Sequence, residues 1–63
     1  MNYLYHDDDS GWTKHTGTAA EGLKDLRDQI RYQIHNDESH GSIRIIEGET
    51  EDGAAFTIIG LSA

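Results

Sequence analysis

The chain has 63 residues, with twelve acidic side chains against five basic ones, a formal charge of −7, and neither cysteine nor proline. That is enough for one small domain, 1–63, which buries only about 60% of the surface its unfolded chain exposes; it excludes a disulfide staple and a thiolate zinc site. The acidic balance argues against a phosphate-binding face, and with it against direct binding to nucleic acid or an anionic membrane. It favours a basic protein partner.

Hydrophobic residues make up 35% of the chain and cluster in periodic segments, the pattern of a folding chain rather than a disordered one. No apolar run approaches the roughly 20 residues that span a bilayer. The first residues lack the basic stretch and apolar core of a secretion signal, so a cytoplasmic location is expected.

In chain order, residues 2–6, NYLYH, form the first expected strand, with Tyr3 and Tyr5 on one face and Leu4 on the other. The run DDDSG ends it. Thr18-Ala19-Ala20-Glu21 fits a capping box, in which hydroxyl and carboxylate each satisfy the other residue's amide. Ala19, Leu23, Leu26, Ile30 and Ile34 then recur at helical spacing, which predicts a helix running up to Asn36, Asp37, Ser39 and Gly41. Gly22 in its first turn suggests close packing on a sheet.

Residues 42–50 and 54–61 predict a hairpin about Asp52-Gly53, a dipeptide suited to a two-residue type I′ turn. Such a turn sets Ile46 opposite Ile59 and Arg44 opposite Leu61. Ile43, Ile45, Phe56 and Ile58 then lie under the helix, and Ile46, Ile59 and Leu61 on the reverse, with Arg44 reaching across that patch. A bulge at Gly48 would shift this register by one and exchange the faces. The expected fold class is α+β: a small β-α-β-β domain, a mostly antiparallel sheet with one helix packed on one face.

The chemistry-bearing residues point away from catalysis. If Gly11 held the glycine position of a calcium loop, a histidine and a glycine would stand where acidic ligands belong. His6, His15, His35 and His40 show no zinc-ligand spacing. There is no cysteine nucleophile, no serine elbow and no phosphate-cradling glycine loop. No catalytic residue, metal or cofactor is therefore expected.

The acidic residues are the distinctive feature. Asp7, Asp8 and Asp9 follow the first strand, and Glu47, Glu49, Glu51 and Asp52 crowd the hairpin tip. Carboxylates pair bidentately with arginine and imitate the phosphates of a nucleic acid. These seven, with Trp12 as a candidate anchor, are the expected partner-binding residues, although a lone tryptophan in so small a domain is more often core. Ile46, Ile59 and Leu61 are the expected self-association patch.

In its tiny size, lack of cysteine and acidic α/β character, the whole chain resembles the small acidic phage-encoded inhibitors, of which anti-CRISPR proteins are the best-known group. That resemblance implies a non-enzymatic inhibitor acting in the host cytoplasm. It would bind a basic nucleic-acid-handling protein such as a CRISPR-Cas subunit and block DNA binding or cleavage as a DNA mimic. The alternative is a small homodimeric regulatory or antitoxin-like interaction module built on the apolar sheet face.

Overall fold

The computed structural model describes residues 2–62. They form, in order, β1 (Asn2–Asp7), β2 (Gly11–Thr16), α1 (Ala19–Gln29), β3 (Tyr32–His40), β4 (Ile43–Thr50) and β5 (Ala55–Leu61). The strands make one antiparallel sheet in the order β2-β1-β5-β4-β3. The class is α+β with one helix on one face, as expected, but the sheet has five strands. The β-α-β-β order is corrected to β-β-α-β-β-β.

The helix begins where the capping box places it. The Glu21 amide donates to Thr18 Oγ1 at 3.2 Å, and the Thr18 amide donates to Glu21 Oε1 at 3.1 Å. It ends earlier than its apolar stripe. Ile30 is already extended at φ −158°, ψ 152°, its N–H closing on the Leu26 carbonyl, and Ile34 lies within β3. From there the chain pairs with β4 and never completes a further helical turn. Lying between the two edge strands in sequence, α1 packs across β1, β5 and β4.

The β4–β5 turn decides which side chains are buried. The Gly53 N–H donates to the Thr50 carbonyl, and the Thr50 N–H to the Ala54 carbonyl, both at 2.9 Å. Gly53 sits at φ 88°, so the loop is a three-residue turn ending in a left-handed glycine, not a two-residue type I′ turn. The register moves by one: Ile46 faces Ile58, and Ile45 faces Ile59. Ile46 is therefore corrected from the reverse face to the core, where it is 0% exposed beside Tyr3, Ala19, Leu23, Leu26, Phe56 and Ile58. Ile43 and Ile45 move to the reverse face. Ile59 and Leu61 stay there as expected.

Arg44, now opposite Gly60, turns to the helix side and forks onto Asp37, with Nε and Nη2 donating at 2.9 and 2.6 Å. The bulge foreseen near Gly48 belongs to the neighbouring strand, where the β3–β4 register slips between Ile34 and Asn36. Gly48 itself admits the Phe56 ring, since a Cβ there would stand 2.9 Å from two ring carbons.

Candidate functional site

Strand direction gathers the acidic turns. β1 and β4 run the same way, because each is antiparallel to β5. Their outgoing ends therefore lie at one end of the sheet, with Asp7 level with Phe56 and Phe56 level with Gly48. The β1–β2 turn and the β4–β5 turn project from that end, and with them Asp7, Asp8, Asp9, Glu51 and Asp52. The C-terminus of α1 arrives at the same end, as the Glu51 N–H donates to the Arg31 carbonyl at 2.8 Å. A helix C-terminus is the negative pole of its dipole, so it adds to the same field. Arg31, and Arg27 in the last turn of α1, are cations of this neighbourhood.

The turns are built by some of these carboxylates. Asp7 Oδ1 accepts from the Asp9 and Ser10 amides at 3.0 and 2.6 Å. Asp52 Oδ1 accepts from the Thr50 hydroxyl, and that bond is the largest influence holding its carboxyl below the usual range. Asp8, Asp9 and Glu51 are exposed, and their side chains form no hydrogen bond among the described residues. The ion pairs among the described residues are Arg44–Asp37 and His40–Glu38, so none of the seven acidic candidates is neutralised in one.

Glu47 and Glu49 project instead from the helix-free face, level with Thr57 and Ala55. Glu47 accepts from Asn36 Nδ2 at 3.3 Å, and Glu38 accepts from the same nitrogen at 2.6 Å. These carboxylates border an apolar strip that runs Leu4, Ile59, Ile45 across three neighbouring strands, with Ile43 beside Leu61. Leu4 is 40% and Ile43 38% exposed. Trp12 lies on this face at the β2 edge, 55% exposed and tilted against His6 with ring centroids 4.8 Å apart. The expectation of a core tryptophan is corrected: Trp12 points from an edge strand to the helix-free face, where no described element packs over it. The candidate surface thus has two connected parts, an acidic end and an apolar face with an acidic border and a tryptophan at the opposite edge.

On the helix side, a cleft of about 270 Å³ separates α1 from the β1–β2 hairpin. Its floor carries Tyr3, Tyr5, Thr13 and His15, and Asp25 stands on the helix wall. Reading the sequence did not single these residues out as a site, because the cleft depends on β2, whose polar run GWTKHT lacks an apolar alternation. Among the described residues, no group of three or more His, Cys, Asp and Glu could hold a metal ion. Among the described residues, no helix is long and apolar enough to cross a membrane. No family model matches the chain, and neither the curated proteins nor the solved structures return a match.

Proposed function

We propose that this chain is a non-catalytic inhibitor that occupies a basic, nucleic-acid-binding surface of another protein, a CRISPR-Cas effector complex being the first class to test. The observation that carries this reading is the meeting of two acidic turns at one end of the sheet, with Asp8, Asp9 and Glu51 exposed and in no ion pair among the described residues. Glu49 and Glu47 continue the negative charge onto the open face, where Trp12, Leu4, Ile45 and Ile59 supply apolar area. A charged border steers encounter and sets orientation, while buried aromatic and aliphatic groups hold the complex.

The test uses a panel of purified CRISPR effector complexes, with DNA binding and cleavage measured at rising inhibitor concentration. At least one effector should lose DNA binding or cleavage. The variant carrying Asp8→Lys, Asp9→Lys and Glu51→Lys should keep its circular dichroism spectrum and inhibit at least tenfold more weakly, mainly through slower association. Rising salt should weaken the wild type, since exposed charges are screened over about 8 Å at physiological ionic strength. Absence of inhibition across the panel, or inhibition indifferent to the three reversals, would overturn the reading.

A further inference from the structure

The cleft between α1 and the β1–β2 hairpin is lined by aromatic rings, with carboxylates at both of its ends and no lysine or arginine along it. Tyr3 is buried to 4% exposure, and its ring stacks on His15 with centroids 5.1 Å apart and planes 17° apart. Tyr3 can lie so deep because Gly22 of α1 passes directly over it; a Cβ there would stand 2.7 Å from the ring. The Tyr3 hydroxyl donates to Asp25 Oδ2 at 3.3 Å, which anchors one carboxylate at the helix wall. Asp7, fixed by its turn amides, closes the other end beside Tyr5. His15 Nε2 and Thr13 Oγ1 are 2.9 Å apart and complete the floor.

We propose that this cleft is a receptor for an arginine side chain presented by the partner protein, with the guanidinium set over the Tyr5 ring and the outer face of His15, which Tyr3 backs, and paired with Asp25. This deepens the reading above and rests on it for the identity of the partner. Aromatic faces attract a cation through their quadrupole, and a planar guanidinium both stacks on rings and forks onto a carboxylate, which a lysine ammonium does not. Asp25 spends one bond on Tyr3 and keeps acceptor sites for the fork. The field inside the cleft has the required sign. Both phenols are raised above their ordinary value, first by burial, then by the charge of Asp25 on Tyr3 and of Asp7 and Asp52 on Tyr5. Ligand pockets for whole small molecules run about 300–1,000 Å³. A volume of about 270 Å³ suits one side chain.

The experiment is a titration of the isotope-labelled protein, followed through amide chemical shifts. The probes are N-acetyl-arginine amide, the lysine analogue, and the citrulline analogue, which is neutral and nearly isosteric with arginine. Arginine should give saturable shifts centred on Tyr3, Tyr5, Thr13, His15 and Asp25. Lysine should bind at least threefold more weakly, and citrulline should give no saturable response. Asp25→Asn should abolish the arginine response while the remaining spectrum stays folded; Asp28→Asn, exposed on α1 and outside the cleft, should leave it unchanged. Equal responses to citrulline, shifts centred on Asp8, Asp9 and Glu51 instead, or full binding by Asp25→Asn would overturn the proposal. Arginine capture with no effector inhibited would sustain the cleft and overturn the proposed function. Inhibition with no arginine response would do the reverse.

Discussion

Asp37 and Arg44 show how one register step reassigns a residue. On the reverse face Arg44 would have lain over aliphatic side chains; on the helix side it meets Asp37 two residues along the neighbouring strand, and both guanidinium bonds form. The hydrogen bond from Arg44 is the largest cause holding the Asp37 carboxyl below its ordinary value, and the same bond raises Arg44. A carboxylate depressed in the folded state stabilises the fold above its unfolded value of about 3.9, and that stabilisation disappears as pH falls through the folded value. Both side chains are partly exposed, so the pair contributes only about 0.2–1 kcal/mol. Urea unfolding of the Asp37→Asn variant should show this deficit near pH 7 and none near pH 2. An equal deficit at both would mean that the ion pair is not its source.

At the scale of elements, the two sides of β4 supply the sharper test. Ile46 sits in the core and Ile45 on the helix-free face. Ile46→Ala should cost about 2–5 kcal/mol and Ile45→Ala well under half as much, because only the first leaves a cavity among close-packed neighbours. A reversed order in chemical denaturation would contradict the three-residue turn. Asp52-Gly53 announces a hairpin but fits both turn lengths, since each places a glycine at positive φ. The sequence therefore revealed this hairpin and left its register open. The helix start was fully legible, because Thr18 and Glu21 sit at the one spacing that makes the reciprocal cap. Its end was not: Ile30 and Ile34 continue the helical period by coincidence, and β3, YQIHNDESH, is an edge strand too polar to show a strand's alternation. Of the candidate surface, the acidic turns were legible as runs of charge. Their convergence was not, since it depends on pairing β1 with β5, close to opposite ends of the described chain.

For the molecule as a whole, five strands and one helix leave two edges, β2 and β3, and one uncovered face. Edge strands carry unpaired backbone groups that invite addition of further chains. The slip between Ile34 and Asn36 breaks the β3 edge near its middle, and the exposed Asp37 and Glu38 follow it directly. Bulges and charges on an edge are devices that keep sheets from growing into fibres. Deleting His35 should regularise that edge and promote polymerisation. Light scattering and a fibril-binding dye should both rise with concentration and time, while the wild type stays flat; a deletion variant as soluble as the parent would show that the charges alone suffice. A discontinuity that appears in the fold as a mere offset in pairing is thus, for a chain with an open apolar face, the limit on how many copies of it can join edge to edge.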